Sequence, residues 1–142
     1  MTRRNEEHRI QAAVFKWAKY ASSKHPCLRL MFAIPNGGAR DEITGAMLKA
    51  EGVKAGVPDI FLPHPVEPFH GLFLELKSSK GRPTPEQREW LMRLRHRGYA
   101  AVLCRGFDQA IDTLSRYVTG QLTPGEAGLP ENPNTRTYYV ER

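Results

Sequence analysis

The sequence predicts an α/β domain, a mixed central sheet flanked by helices in the order αβαββαβα. Three observations carry that expectation. Residues 4–22 and 107–118 place apolar side chains at three- and four-residue spacing, as amphipathic helices do. Four short apolar runs, at 28–35, 57–62, 71–77 and 99–104, have strand length and are bounded by proline or glycine. Helical segments interleave with these runs, and such an alternation implies a sheet with helices packed on its faces.

Each element has its own local reasons. In the first helix Ile10, Ala13, Val14, Trp17, Ala18 and Ala21 form one apolar stripe, Asn5 or Thr2 serves as cap, and His25-Pro26 ends it. LRLMFAIP, residues 28–35, reads as a strand stopped by Pro35, with Asn36-Gly37-Gly38 as a turn. Residues 41–51 read as a short helix with Ile43, Met47 and Leu48 on one face, stopped at Gly52. Lys54-Ala55-Gly56 leads into a strand at 57–62. PHPVEPFHG is a turn or hairpin connection. The continuous run LFLEL within 71–77 suggests a strand buried on both faces. Thr84, Pro85 and Gln87 fit the N-cap, first and third positions of a capping box, which opens a helix ending at Gly98. A strand at 99–104 and a helix at 107–118 follow. The division expected is a domain over 1–119 and a Pro/Gly-rich C-terminal tail over 120–142, in which Tyr138-Tyr139-Val140 is the one strand-like piece.

Composition narrows the classes. The chain has 142 residues, of which 40% are hydrophobic and 25% charged, enough for one domain with one core. No apolar run approaches the ~20 residues that span a membrane. The charged N-terminus, MTRRNEEHRIQ, does not read as a secretory signal. Cys27 and Cys104 do not make a disulfide framework and read as buried free thiols, so a reducing cytoplasm is the expected setting. The five histidines show no zinc-ligand spacing, and nothing signals an organic cofactor. The net charge of +6 favours a polyanionic partner, nucleic acid first. Arg82, Arg88, Arg93, Arg95, Arg97 and Arg105 fall close together, as a basic patch or a solvated helix face would. Trp17 and Trp90 lie on helical stripes and read as core residues.

The chemistry lies in VPDIFLPHPVEPFHGLFLELK, residues 57–77. Charges in core-like strands are costly unless they are paired or hold a metal. If the proline segment folds back, Asp59 and Glu75 stand on neighbouring strands. Glu75 and Lys77 are two apart, so both point to one face. Two carboxylates make a hard oxygen site suited to Mg²⁺ or Mn²⁺, which the Leu76 backbone carbonyl can help complete. A lysine beside it stabilises developing phosphoryl charge or orients a water. Together these are the parts needed to hydrolyse a phosphodiester. Lys54, Lys49, Arg40, Lys80 and Arg82 sit on segments near this site and suit phosphate contacts; Asn36, Gly37 and Gly38 allow a close approach of a DNA backbone.

Pro58-Asp59 with Glu75-x-Lys77 resembles the PD-(D/E)xK nuclease superfamily. Glu7-x3-Gln11, Pro35-Asn36-Gly37-Gly38, the stretch GVKAGVPD at 52–59, Thr84-Pro85-x-Gln87 and Gly98-Tyr99 together resemble its VRR-NUC family. The resemblance spans residues 5 to about 118. It implies a restriction-endonuclease-like core, a divalent metal on Asp59 and Glu75, and Lys77 as catalytic lysine. It also implies an acidic residue near the metal on the first helix. Glu7 fits that role, as a further ligand of the metal beside Asp59, Glu75 and the Leu76 carbonyl, with Glu6 the neighbouring alternative. Gln87 matches a glutamine that faces the site as well as capping its helix. A chain of this length resembles the stand-alone, phage-type members, which are similar to Holliday-junction resolvases. The implied activity is then a metal-dependent endonuclease on branched DNA, acting as a homodimer, with Ala33, Ile34 and residues 43–49 as candidate interface. The alternatives are a DNA-binding module that recognises structure without cutting, and a nuclease on flaps, single strands or RNA.

Overall fold

The structure is a computed structural model, which describes residues 2–35 and 42–126. Helix α1 spans Arg3–Ala21, β1 Phe32–Ala33, α2 Glu42–Ala50, β2 Ile60–Leu62, β3 Leu72–Lys77, α3 Pro85–His96, β4 Ala100–Arg105 and α4 Gly106–Val118. Among the described residues these strands form one sheet in the order β1-β2-β3-β4. The β1/β2 and β2/β3 pairs are antiparallel and β3/β4 is parallel, joined through α3. The mixed sheet, the flanking helices and the αβαββαβα order agree with the sequence.

Strand β3 is central because its sequence lets it be buried on both sides. Leu72, Leu74 and Leu76 are almost fully buried on one face. On the other, Phe73 stacks on Phe61 with ring centroids 4.2 Å apart, and Glu75 and Lys77 follow toward the C-terminal end. Val14 and Ala18 of α1 and Ala110, Leu114 and Tyr117 of α4 join the leucines in one core. Each fully buried leucine contributes roughly 1.5–3 kcal/mol. The Tyr117 hydroxyl escapes burial unpaired by donating to the His64 carbonyl over 2.6 Å. After α4 the chain turns back: the Gln121 and Leu122 amides donate to the Arg116 carbonyl, and Leu122 enters the core.

Two strands differ from expectation. Residues 28–35 are not one strand, because Pro26–Leu30 form a 3₁₀ helix and only Phe32–Ala33 pair with β2. Pro26 presets the helical φ at the first position, and Leu28 and Met31, three apart, both turn into the core. That spacing of three overrides the period of two a strand requires. Strand β2 begins at Ile60 rather than Val57. Pro58 has no amide to give a ladder, and the Asp59 carbonyl instead accepts from the Ile34 amide at 2.8 Å.

The helix caps follow the sequence closely. Thr2, not Asn5, caps α1, its Oγ1 accepting from the Asn5 amide. Thr84 and Gln87 form the reciprocal capping box of α3. The arginine group does not stay together as a free basic face. Arg95 donates to the Ala101 carbonyl at 2.8 Å, Arg93 pairs with Glu89 at 2.6 Å and Arg105 reaches the Gly81 carbonyl.

Candidate active site

The β2/β3 register assembles the site. Ile60 pairs with Leu74 and Phe61 with Phe73, so one further step sets Asp59 across from Glu75. Residues opposite one another in an antiparallel pair share a face of the sheet. Glu75 and Lys77, two apart on β3, share it as well. Glu75 is 1% exposed and Lys77 7%. The Leu76 amide donates to Asp59 Oδ2 at 2.7 Å, which fixes the carboxylate against the strand that carries its partners. The Lys77 ammonium lies 3.7 Å from Glu75 Oε1 and 3.9 Å from Glu7 Oε1. Those are ion-pair distances beyond hydrogen-bond reach, so the ammonium is held by charge while its protons remain available to a third group.

The electrostatics of the carboxylates are those of a site that wants a cation. Burial pushes the Asp59 carboxyl above its usual range, against the opposing pull of the Leu76 amide and the Lys77 ammonium. Burial first, and the Asp59 charge second, push Glu75 up to about 8. Glu75 Oε2 is buried with no hydrogen-bond partner among the described residues. Two desolvated carboxylates facing each other require a shared proton or a bound cation. No group of three His, Cys, Asp or Glu side chains converges tightly enough for an all-side-chain cage among the described residues. Mg²⁺ does not need one. It is commonly held by one or two carboxylates, with waters and substrate phosphate completing an octahedron. The Asp59–Glu75 pair, with its orphaned oxygen and the neighbouring Leu76 carbonyl, fits that donor set.

An open cleft of about 590 Å³ leads to Asp59. The N-terminal part of α1 forms one wall through Arg4, Glu7, His8 and Gln11. Ala33, Ile34 and Pro35 form another, and Ala55, Gly56, Thr84, Glu86 and Gln87 close the third. The loop before Asp59 is locked onto α3. Trp90 Nε1 donates to the Ala55 carbonyl at 3.1 Å, and Gly56 adopts φ +87° with its Cα so close to Glu86 that a Cβ would stand 2.7 Å from the Glu86 carbonyl carbon. Only glycine combines that conformation with that approach.

The structure brings Asp59, Glu75, Lys77, Glu7 and Gln87 to one place. Of the two first-helix acids, Glu7 points at Lys77 and Glu6 is exposed to solvent. Gln87 lines the cleft while also capping α3. Lys49, Lys54, Lys80 and Arg82 are exposed and are not among the residues lining the cleft. Asn36, Gly37, Gly38 and Arg40 lie outside the described residues. Arg4 and His8 were not singled out from the sequence, yet both line the cleft. Positions 4, 7, 8 and 11 recur at helical spacing beside the apolar stripe, and that polar periodicity is the signal that points to them. Trp90, expected in the core, is half-buried and tethers the Asp59 loop.

A mixed sheet that carries the aspartate just before one strand and E-x-K on the adjoining strand, with a helix of mixed charge facing them, defines a nuclease-type domain of the PD-(D/E)xK class. The VRR-NUC domain model matches residues 2–108, and the chain belongs to the VRR-NUC family. A solved structure titled "VRR_NUC domain protein" is similar with 30% identity and a TM-score of 0.69, over 80% of this chain and 88% of that one. A second, titled "VRR_NUC domain", shows 24% identity and a TM-score of 0.46, over 79% of this chain and 97% of that one. Comparison with curated proteins gave no significant match. Among the described residues no helix is long and apolar enough to cross a membrane.

Proposed function

We propose that this protein is a divalent-metal-dependent endonuclease that hydrolyses phosphodiester bonds in DNA. The observation that carries the reading is the pairing of half-buried Asp59 with buried Glu75, clamped by the Leu76 amide and flanked by Lys77, with one Glu75 oxygen left without a hydrogen-bond partner among the described residues. Asp59, Glu75 and the Leu76 carbonyl would hold Mg²⁺ or Mn²⁺. Such an ion lowers the pKa of a bound water and polarises a phosphoryl oxygen. Lys77 places an ammonium, ion-paired with Glu75 and Glu7, beside those carboxylates, where it stabilises negative charge growing on the phosphate or orients the attacking water. Arg4 and His8 line the cleft and serve as contacts for neighbouring phosphates. Gln87 adds a polar side chain to the wall facing α1. The net charge of +6 suits the partner.

Branched DNA of the four-way-junction type, cut by a homodimer, is the finer reading, supported by the resemblance to stand-alone VRR-NUC members. Two like sites related by a two-fold axis suit two like strands. The test is a gel assay with labelled four-way junction, replication fork, 5′ flap, linear duplex and a single-stranded RNA, each with Mg²⁺, Mn²⁺ or EDTA. Metal-dependent symmetric nicking of the junction, lost in Glu75→Ala, is the expected result. Cleavage of the flap or RNA alone would replace the substrate reading. Tight junction binding with no cutting in either metal would overturn the nuclease reading in favour of a structure-specific binding module.

A further inference from the structure

We propose that the groove between the C-terminal half of α1 and the start of α4 binds an unpaired DNA strand, with bases stacking on Tyr20, Trp17 and Phe107 and phosphates meeting Lys16 and Lys19. The proposal rests on the nuclease reading only for the choice of DNA as the polyanion, since the groove lies apart from the cleft and its lining holds no metal ligand.

Charge is unevenly placed along this chain. From His8 to Arg40 the sequence has no aspartate or glutamate and six basic residues: Arg9, Lys16, Lys19, Lys24, Arg29 and Arg40. Their charge equals the net +6 of the whole chain, so everything outside this segment sums to zero. Arg9, Lys16, Lys19, Lys24 and Arg29 are all exposed. A surface of one sign attracts a polyanion. It disfavours a second copy of the chain, because a two-fold contact brings the same lysines of both copies together.

The rings lie inside that basic segment. An open groove of about 800 Å³ is lined by Ala13, Trp17 and Tyr20, which recur at three- and four-residue spacing on one stripe of α1, and by Phe107 at the start of α4. Tyr20 is 86% exposed, so no element among the described residues covers it. Lys16 and Lys19 line the groove as well, and a lysine lays an aliphatic stem on such a surface while its ammonium stays in water. Asp108 and Asp112 of α4 are not among the lining residues. Lys19 also lines a neighbouring hollow of about 480 Å³ with Phe15, Leu28 and Arg29, which continues the basic, ring-lined path. Aromatic rings beside ammonium groups, with no carboxylate in the lining, suit single-stranded DNA: each base offers a face to stack and each nucleotide a phosphate. A duplex hides those faces. Glu7 in the cleft and Tyr20 in the groove are thirteen residues apart on one helix, so they stand roughly 20 Å apart along its axis and point about 140° apart around it. The groove therefore holds a strand away from the phosphate being cut and contributes binding rather than rate.

The experiment titrates a labelled oligothymidylate of about 15 nucleotides, and a duplex of the same length, by fluorescence anisotropy in EDTA. The proteins are the wild type, Tyr20→Ala, Tyr20→Phe and the double variant Lys16→Ala/Lys19→Ala, with thermal melting to confirm folding. The oligothymidylate should bind more tightly than the duplex. Tyr20→Ala should weaken it about tenfold, whereas Tyr20→Phe, which keeps the ring, should match the wild type. The double lysine variant should reduce the slope of log affinity against log salt by about one. The oligothymidylate should quench tryptophan fluorescence in Trp90→Phe, which leaves Trp17 as the one tryptophan. On a substrate with a single-stranded arm, Tyr20→Ala should raise the half-saturating DNA concentration and leave the maximal single-turnover rate unchanged. No binding of the oligothymidylate, an unchanged affinity in Tyr20→Ala, or equal losses on oligothymidylate and duplex overturns the proposal. So does a Tyr20→Ala protein that sediments as a smaller species than the wild type, which would give the groove to a second copy. The titrations need no cutting, so a wild type that binds in this way but cleaves nothing would sink the nuclease reading and keep the groove.

Discussion

The Leu76 amide donates to Asp59 Oδ2 across 2.7 Å, so the unnamed residue of the E-x-K motif is what clamps the aspartate of the same motif. The bond joins two strands and divides the work of one carboxylate: Oδ2 is structural, and the other oxygen is left for chemistry. Asp59→Asn can keep the accepted bond through its amide oxygen while losing the charge. It should therefore fold, remove a desolvated anion and melt no lower than the metal-free wild type, yet be inactive. Asp59→Ala loses the bond as well and should cost about 1–2 kcal/mol in stability. Urea titration of the two variants beside the wild type checks the contrast. Equal destabilisation of both would mean the bond contributes nothing.

Glu75 links stability to pH. In the fold it keeps its proton to about 8, whereas unfolded it loses it near the ordinary 4.5. Between those values the folded state binds the extra proton, so stability of the metal-free protein falls as pH rises through that window. A cation takes the place of the proton, so Mg²⁺ or Mn²⁺ should raise the melting temperature more at high pH than at low. Thermal melts with EDTA and with Mn²⁺ at about pH 5.5 and about pH 8.5 test this. A Mn²⁺ effect that is equal at both, or larger at the lower pH, would contradict it.

The loop before Asp59 is positioned from α3. Trp90→Phe keeps most of the ring volume and drops the bond to the Ala55 carbonyl. It should cost about 1 kcal/mol and reduce cleavage several-fold without altering the far side of the core. Gly56→Ala meets both a left-handed φ and the Glu86 backbone, so it should be the more damaging of the two. Hydrogen exchange at residues 53–59 reports whether the disturbance stays local. Protection unchanged in Trp90→Phe would show that the tether is idle.

Arg4 and His8 should act on substrate rather than on the ion. Arg4→Ala should weaken DNA binding across sequences and reduce the slope of log affinity against log salt by about one. Mn²⁺ affinity should hold. Fluorescence-anisotropy titrations with uncleaved DNA in Ca²⁺ at several salt concentrations measure it. An unchanged slope would remove Arg4 from the phosphate contacts.

Much of this was legible in the sequence because the governing rules are local. The capping box at Thr84 and Gln87 is written in four consecutive residues, and the two-residue spacing of Glu75 and Lys77 fixes their common face. The unbroken LFLEL run announced a strand buried on both sides. What escaped was set by partners far along the chain. Residues 28–30 look like a strand until Pro26 and the inward turn of Leu28 and Met31 make a 3₁₀ helix of them. Trp90 looks like core until the Ala55 carbonyl claims its indole. The lysines nearest Asp59 in sequence, Lys54 and Lys49, do not line the cleft, whereas Arg4 and His8, more than fifty residues upstream of Asp59, do. Sequence proximity is a poor guide to a cleft whose walls come from α1, β1 and α3.

The central claim is that Asp59 and Glu75 hold a divalent cation. Calorimetric titration of the protein with Mn²⁺ near neutral pH, repeated in two buffers of different ionisation enthalpy, tests it most directly. One ion should bind per chain at this site with release of up to one proton, drawn from Glu75, and both the binding and the proton should be lost in Asp59→Asn. Binding that is unaltered in Asp59→Asn, or no binding at all in the folded wild type, would contradict it.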